Sequence, residues 1–350
     1  MSSAEPWKGL RWWPTCEEVL SHLSRHQSEE REREDVDNSD DHLVNLASGR
    51  TVVVTGSNTG IGLRAAAALV RSGAHVVLAC RNMKKAEEAA EEIQSEVKDK
   101  RAVLRVLAIR LDLSSLSSVE TFCDDLREKM DALAWPPLAA LLLNAGLFPY
   151  STKTAEDTGC ELTFAVNHLG HFFLTRLLLP DLREAASKTG QKSRVVVVSS
   201  DSHYGPLATK KVTSKEDVVA QVVNQQSAGL GAYGNSKLCN VLFMRELNAR
   251  ESGNGVIACA LHPGALIGTG LNRDGNFLVQ IFFSIVTKFT KSVDQGAATS
   301  VFCTLADADA LAGKYINCCA PQKESSLVTD DAAELLWEIS EEIVRTFQAK

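Results

Sequence analysis

The chain has 350 residues, a hydrophobic fraction of 45% and a formal net charge of −7 at pH 7. This length accommodates one large α/β domain and an appendage. Most of the negative charge lies between Ser28 and Asp41, where eight acids and two arginines give −6 and predict a solvated linker. The remaining sequence has no basic patch of the kind that binds nucleic acid, so nucleic acid is not an expected partner.

Cysteine usage and hydropathy indicate where the protein resides. Nine cysteines without a CxxC pair favour free thiols in a reducing, intracellular setting, and the cytoplasm is the expected location. Adjacent Cys318 and Cys319 could be redox-active, but two buried thiols are the favoured interpretation. No apolar run reaches the roughly 18 residues of a membrane span. We therefore expect no transmembrane segment and no signal peptide, while peripheral membrane contact stays open.

Residues 1–46 are predicted to form an N-terminal extension, and residues 47–350 the main domain. Thr15 and Glu18 have the spacing of a capping box. A short amphipathic helix should follow, because apolar residues recur at helical spacing: Cys16, Val19, Leu20 and Leu23. This helix could dock on the main domain, on a partner or on a membrane surface, and docking on the main domain is favoured.

The segment 50–82, RTVVVTGSNTGIGLRAAAALVRSGAHVVLACRN, predicts a strand, a glycine-rich turn, a helix and a second strand. Glycine permits positive φ and close approach of a ligand, and the free N–H groups of a helix start attract the negative charge of a pyrophosphate. A dinucleotide site is favoured over a merely structural turn. The residues expected to form it are Gly56, Ser57, Asn58, Gly60, Ile61 and Gly62.

The rest of the chain alternates between apolar strands and amphipathic helices. This alternation predicts a single doubly wound Rossmann-type α/β domain with a seven-stranded parallel sheet and helices on both faces. Strands are expected at 51–55, 75–79, 103–109, 138–143, 194–199, 256–261 and 314–317. Helices are expected at 65–70, 83–98, 115–130, 163–179 and 233–250, and irregular structure at 201–232.

Several motifs resemble one family. The glycine turn has the spacing TGxxxGxG, which resembles the short-chain dehydrogenase/reductase superfamily. ACRN, NHLGHFFLT, NSKLCNVLF, LHPG and QGAAT are similar to its retinol dehydrogenase-like branch, within which VVVVSSDSH, KFTKSVDQGAAT and INCC are most similar to a member that also carries WW domains. Here the tryptophans are bunched at positions 7–13, so no WW domain is expected. The resemblance covers Arg50 to about Asn317 and implies an alcohol–carbonyl oxidoreductase.

Tyr233 and Lys237 are four residues apart near a predicted helix start, so they share one face. An ammonium beside a phenol favours the phenolate and is expected to lower the pKa of Tyr233 toward the working range. The family resemblance adds Ser200 as the serine that binds the substrate oxygen and Asn167 as the holder of a relay water. The histidines of NHLGH have no compatible third ligand, so helix packing is favoured over a metal site, and no metal is expected.

Cofactor preference is predicted from the end of the second strand. Arg81 and Asn82 stand where an NAD-specific site has an acid, and a guanidinium can bind a 2′-phosphate, so NADP(H) is favoured over NAD(H). The resemblance assigns further cofactor contacts to Tyr233 and to Lys237, which would bind the nicotinamide ribose. It assigns others to Asp112, Leu113, Asn144, Ala145, Gly146, Pro263 and Gly264. Asp112 could equally be a helix N-terminal residue. The family's threonine that contacts the nicotinamide carboxamide has Gly268 at its position here, with Thr269 one residue further on.

The apolar segment 277–286, FLVQIFFSIV, lies where the family has its substrate lid. A lid of this composition favours a hydrophobic substrate such as a retinoid, a steroid or a lipid aldehyde, although core packing or a dimer contact would also explain it. The resemblance also implies a possible homodimer through the long helices. The alternative function is a cofactor-sensing regulatory or scaffold protein that retains the dehydrogenase fold.

Overall fold

A computed structural model describes residues 6–10, 14–31, 46–97, 105–148, 152–204, 214–224, 229–264 and 292–350. The predicted lid at 277–286, Thr269 and most of the acidic linker lie outside the described residues. Among the helices of the described ranges, none is both long and apolar enough to cross a bilayer.

One eight-stranded sheet runs through the molecule in the order β3-β2-β1-β4-β5-β6-β7-β8. The strands are β1 Thr51–Thr55, β2 His75–Cys80, β3 Val106–Arg110, β4 Leu138–Leu143, β5 Ser193–Val198, β6 Val256–His262, β7 Tyr315–Asn317 and β8 Ala320–Gln322. The first seven pair in parallel, as predicted, and β8 pairs antiparallel with β7. Their runs of valine, leucine and alanine are buried because helices cover both faces.

The eighth strand departs from the predicted seven and is made by a tight hairpin. Cys318 and Cys319 form the two-residue connection between β7 and β8, with φ of 49° and 61°. Positive φ at both central residues is typical of the hairpin turn whose twist matches its strands. Both cysteines are buried free thiols, as are the other seven.

Helices pack on both faces of the sheet. They are α1 Cys16–Arg31, α2 Gly60–Arg71, α3 Met83–Glu96, α4 Leu116–Ala132, α5 Leu162–Phe164, α6 Gly170–Thr189, α7 Lys215–Val218, α8 Leu230–Glu251, α9 Val293–Leu305, α10 Ala308–Leu311 and α11 Asp330–Gln348. Helices α1, α2, α3 and α9 contribute to the core on one face, and α4, α6, α8 and α11 to the core on the other. The glycine turn and Ser200 lie in connections that follow strands, while Tyr233 and Lys237 lie near the start of α8.

Two helical predictions need correction. The helix expected at 163–179 consists of α5, a π-helical turn at Ala165–Leu169 and α6, which extends to Thr189. The segment 201–232, expected to be irregular, contains a 3-10 turn at Asp201–Tyr204, then α7 and a π-helical turn at Val219–Val223. These short elements have no amphipathic period long enough to be read from the sequence.

Helix α1 docks on the main body of the chain. Its capping box is formed, because the Thr15 backbone N–H donates to Glu18 Oε2 (2.7 Å) and the Glu18 N–H donates to Thr15 Oγ1 (3.2 Å). The Cys16 N–H donates to Asp294 Oδ2 in α9 (3.0 Å). The apolar stripe predicted from the sequence is buried in the same core as Val52 of β1. Docking within the chain is therefore what the structure shows for this helix.

Helix α11 covers the outer face of α8. The Trp337 ring lies 6.1 Å from the Phe243 ring, centroid to centroid, in a stacked arrangement. Glu341 pairs with Arg176 of α6, and the Ser340 hydroxyl lies 3.0 Å from His168 Nε2. The long helices α6 and α8 are thus held in place from outside by the C-terminal helix.

Candidate active site

The glycine turn packs directly against the end of β4. Gly56 and Gly60 have φ of 65° and 63°, a conformation that other residues rarely adopt. A Cβ at Gly56 would lie 2.9 Å from the Ala145 Cα, and one at Gly62 would lie 2.6 Å from the Gly56 carbonyl oxygen. Side chains at these positions would therefore fill the turn. Ser57 is buried and its hydroxyl donates to the Val54 carbonyl (2.8 Å).

Helix α2 begins at Gly60 without a side-chain cap. The preceding Thr59 makes no capping hydrogen bond, so the first N–H groups, which include those of Ile61 and Gly62, have no side-chain acceptor there. No acid stands in the first turn. Such an N-terminus binds anions, and the residues present therefore fit a pyrophosphate. Asn58 lies half-buried in the same turn.

Ser200, Tyr233 and Lys237 come together beyond the carboxyl ends of β5 and β6. Ser200 follows β5, while Tyr233 and Lys237 lie one turn apart near the start of α8. The Lys237 Nζ lies 5.5 Å from the centroid of the Tyr233 ring and donates to the Val198 carbonyl (3.0 Å). The Ser200 hydroxyl interacts with that of Tyr233. The three candidate catalytic groups therefore share one site.

Burial dominates the ionisation of both titrating groups. It raises the pKa of Tyr233 to about 12, against which the hydrogen bond from Ser200 acts only in part. Burial also lowers the pKa of Lys237 to about 8. The expectation that the pKa of Tyr233 is lowered toward neutrality is therefore not met, because desolvation of the phenolate dominates. At neutral pH Tyr233 is a phenol and can donate a proton.

Asn167 lies in the π-helical turn between α5 and α6 and binds two other parts of the chain, at Leu147 and Ser236. Its Oδ1 accepts from the Leu147 N–H (2.8 Å), and its Nδ2 donates to the Leu147 carbonyl (3.1 Å) and to Ser236 Oγ (2.9 Å). A Cβ at Gly146 would lie 3.3 Å from Asn167 Oδ1 and 3.5 Å from Lys237 Nζ. Glycine thus leaves room where these groups meet.

A chain of buried hydrogen bonds links Asn167 to the glycine turn. Thr55 Oγ1 accepts from the backbone N–H groups of Asn144 and Ala145 (both 2.9 Å) and lies 2.9 Å from His171 Nε2. His171 Nδ1 lies 3.1 Å from the Asn167 carbonyl oxygen, which can only accept. His171 is therefore neutral, with its proton on Nδ1, and accepts from the Thr55 hydroxyl.

His168, one turn before His171, packs among aromatic rings. The rings of Phe164, Phe172 and Phe243 lie 5.2, 6.0 and 5.8 Å from it, centroid to centroid. Its buried Nδ1 has no hydrogen-bond partner within the described part of the chain. Burial lowers the pKa of His168 to about 3 and that of His171 to about 4, and the Lys237 charge also lowers the latter.

The low pKa values of His168 and His171 predict that the folded protein loses stability in acid. Their folded pKa values lie below the ordinary 6.5, so the unfolded chain binds more protons between about pH 4 and 6.5 and stability falls as the pH falls. At pH 5 the loss is about 2 kcal/mol for each histidine. The free energy of unfolding of wild type and of His168→Phe should be measured in urea at pH 7 and at pH 5. Between these two pH values the variant should lose about half as much stability as wild type loses. The same loss of stability in both proteins would contradict the prediction that His168 contributes to it.

The end of β2 presents Arg81 to solvent. The Arg81 side chain is exposed and makes no hydrogen bond or ion pair with another described residue. Asn82 directly precedes α3 and caps it, because its side chain accepts from the Lys85 N–H (3.1 Å). Asn82 thus has a structural task, while the guanidinium beside the glycine turn is available to a ligand.

The remaining predicted contacts lie around the same sheet edge. Asp112 follows β3 and accepts from the Ser114 N–H (3.1 Å) and hydroxyl (2.6 Å), while Ser115 caps α4. Leu113 is buried. Asn144 Nδ2 donates to the carbonyls of Thr55 (2.9 Å) and Gly56 (3.3 Å), which ties the ends of β1 and β4 together. Pro263 and Gly264 follow β6 and are half-buried.

Sequence reasoning missed the residues that support these groups. Thr55 joins β1, β4 and α6, and Ser236 holds Asn167 while donating to the Tyr233 carbonyl (2.8 Å). Asp201 accepts from the Tyr315 hydroxyl (3.0 Å). Ser236 is three residues from Tyr233, a helical spacing that could have drawn attention to it. Thr55 had no such signal, because β-branched residues are expected in a strand.

Comparison with known proteins agrees with this geometry. Residues 50–214 match the family described as short chain dehydrogenase. WW domain-containing oxidoreductase from Gallus gallus is 38% identical over 300 residues, which are 85% of this chain and 69% of that protein. Retinol dehydrogenase 12 from Bos taurus is 40% identical over 302 residues, 85% of this chain and 86% of that one.

Solved structures share the fold. A crystal structure of an uncharacterized protein from Mycobacterium paratuberculosis has a TM-score of 0.63 at 29% identity and covers 87% of this chain and 96% of that one. A 3-ketoacyl-(acyl-carrier-protein) reductase from Brucella melitensis, complexed with NADH, has a TM-score of 0.57 at 21% identity, with 77% and 96% covered. The chain belongs to the short-chain dehydrogenase/reductase superfamily, in the branch with WW domain-containing oxidoreductase and the retinol dehydrogenases.

Proposed function

We propose that this protein is an NADP(H)-dependent oxidoreductase that interconverts an alcohol and an aldehyde or ketone. The observation that carries the proposal is the meeting of Ser200, Tyr233 and Lys237 beside the glycine turn. The cofactor, when bound, supplies or accepts the hydride. In carbonyl reduction the Tyr233 hydroxyl donates a proton to the substrate oxygen, on which the Ser200 hydroxyl stabilises the developing negative charge.

Lys237 and Asn167 support this proton transfer. The buried Lys237 ammonium lies next to the phenol and stabilises the negative charge that Tyr233 acquires as it gives up its proton. Asn167 fixes Leu147 and Ser236 around the lysine and places the π-helical turn against it. A proton path from Lys237 to solvent by way of Asn167 is part of the proposal.

Arg81 supports the preference for NADP(H). Its guanidinium is exposed next to the glycine turn and has no partner among the described residues, so it is free to bind a 2′-phosphate with two charge-assisted hydrogen bonds. No acid precedes α3 at the position where one would repel that phosphate. Asp112, Leu113 and the turn Asn144–Gly146 are proposed to line the adenine and ribose side of the cofactor.

A hydrophobic substrate such as a retinoid, a steroid or a lipid aldehyde fits the branch, two of whose members are named retinol dehydrogenases. The nine free thiols support a cytoplasmic location. A homodimer through the long helices would have to include α11, because Trp337 and Glu341 of that helix cover α8 and α6.

The direct test follows NADPH oxidation by purified protein with a panel of retinals, steroids and lipid aldehydes. Turnover that is lost in Tyr233→Phe supports the oxidoreductase. Tight NADPH binding without turnover on any panel member indicates instead a cofactor-sensing regulatory or scaffold protein.

The pKa of Lys237 predicts how the rate of carbonyl reduction depends on pH. Its pKa of about 8 means that the ammonium is lost as the pH rises through 8, so kcat/KM should fall about tenfold per pH unit above it. Lys237→Arg keeps its charge throughout this range. The residual kcat/KM of this variant, measured from pH 6 to about pH 10, should not fall above pH 8. The same fall above pH 8 in both proteins would show that a group other than Lys237 titrates there.

A further inference from the structure

A cavity with polar lining residues lies at the opposite edge of the sheet from Tyr233. It has a volume of about 140 Å³ and opens at the amino ends of β1, β4 and β5. Arg50, Lys192 and Arg194 line it, and none of its lining residues is an aspartate or a glutamate. The cavity therefore concentrates positive charge without an acidic side chain in its wall.

Arg194 is the buried part of this cavity. Arg194 belongs to β5, and only 5% of the residue is exposed. Its Nη1 donates to the carbonyls of Ala306 (2.7 Å) and Cys303 (3.3 Å) at the end of α9. The other donors of the guanidinium have no acceptor among the described residues, although the group carries five N–H bonds in all. Burial lowers the pKa of Arg194 to about 10, so it stays charged at neutral pH.

The other two cations differ in what they pair with. Lys192 forms an exposed ion pair with Asp309, a residue that does not line the cavity. Arg50 donates only to the side-chain oxygen of Gln191, an uncharged amide. Within the described ranges, neither Arg50 nor Arg194 has a carboxylate at ion-pair distance, and the Arg50 charge helps to lower the pKa of Arg194. Two guanidinium groups thus line one cavity with no carboxylate in contact, and the charge of Asp307 acts on Arg194 only from a longer distance.

We propose that this cavity binds a small tetrahedral oxyanion of the phosphate or sulfate class, held between Arg50 and Arg194. An isolated buried charge is costly, and a bound oxyanion compensates both guanidinium groups at once. The planar guanidinium matches two oxygens of such an anion with parallel hydrogen bonds. The volume exceeds the roughly 30 Å³ that one water occupies, which leaves room for the anion and a few waters. This site is separate from the proposed cofactor and substrate site.

Thermal unfolding in sodium phosphate, against sodium chloride of equal ionic strength, tests the proposal. Because an anion that binds only the folded chain stabilises it, the melting temperature of wild type should rise with the logarithm of the phosphate concentration above the dissociation constant, by roughly 2–4 °C at about 10–100 times that constant. Arg50→Met removes the half-exposed guanidinium with little risk to folding and should abolish the rise. Arg194→Met should do the same if it folds.

Two matched variants control for other phosphate sites. Lys188→Met removes a cation near the end of α6 that does not line the cavity, and Arg81→Met removes the one beside the glycine turn. Both should keep most of the rise. Glycerol phosphate in a parallel titration shows whether the cavity also accepts a phosphomonoester. Equal melting temperatures in phosphate and chloride, or an undiminished rise in Arg50→Met, would overturn the proposal.

Discussion

Replacing Tyr233 with phenylalanine is expected to lower kcat for carbonyl reduction by about 10²–10⁴-fold, the range that a positioned general acid contributes. The phenol is protonated at neutral pH, because burial raises its pKa to about 12, so the hydroxyl that the variant lacks is the proton donor. The ring itself packs 5.4 Å from Phe148, centroid to centroid, and phenylalanine retains that contact. Rates with NADPH and the best substrate of the panel provide the measurement.

The control for this variant is cofactor affinity and stability. Tyr233→Phe removes one oxygen from a half-buried side chain and leaves the Lys237 hydrogen bond to Val198 in place. Its NADPH affinity and its urea midpoint should therefore stay close to those of wild type. A variant that retains more than about a tenth of wild-type kcat would mean that another group donates the proton. Ser200→Ala, which removes the oxyanion donor but not the acid, should lose about 10²–10³-fold.

The sheet was predictable from the sequence wherever a strand is buried on both faces. The run Thr51–Thr55 is β-branched, short and followed by glycine, and its predicted and observed bounds coincide. Strand β8 could not be predicted in this way. Its three residues, Ala320–Gln322, include a proline and are largely exposed, so the strand exists only because the Cys318-Cys319 turn folds it back on β7.

Helix interiors show where local pattern stops being sufficient. The apolar spacing through NHLGHFFLT predicts a helix but does not mark the π-helical turn, since a single such turn inside a helix leaves no period of its own in so short a run. The turn at Ala165–Leu169 coincides with tertiary bonds from Asn167 to Leu147 and Ser236. Those partners lie about 20 and 70 residues away along the chain, outside the reach of any local rule.

The residues proposed for catalysis could be chosen from sequence, but their ionisation could not. Spacing alone placed Tyr233 and Lys237 on one helix face, and the structure brings Ser200 to them. The direction of the pKa shift of Tyr233 depends on how much water the folded chain excludes, which no spacing encodes. The same holds for His171, whose neutral form depends on Thr55 and on the Asn167 carbonyl.

Replacing Arg81 with glutamate is expected to reverse cofactor preference. Wild type should favour NADPH over NADH, and the variant should lose about 10²–10³-fold in the ratio of kcat/KM for NADPH to that for NADH. Loss of a bidentate guanidinium–phosphate contact costs about 1.5–3 kcal/mol, and a carboxylate in its place adds repulsion. A carboxylate can also accept hydrogen bonds from the ribose hydroxyls of NADH, so activity with NADH should rise or hold. Initial rates with the two cofactors measure the change.

A matched control separates this role from general surface charge. Arg110 ends β3 next to β2, is exposed, and like Arg81 carries a full positive charge near the same sheet edge. Arg110→Glu makes the same change in net charge, so it should alter the cofactor ratio far less than Arg81→Glu if the 2′-phosphate is bound by one guanidinium at short range. Equal shifts in the two variants would indicate that long-range charge sets the preference. Asn82 should not be varied with Arg81, because its cap on Lys85 positions the start of α3 and a change there would move the arginine itself.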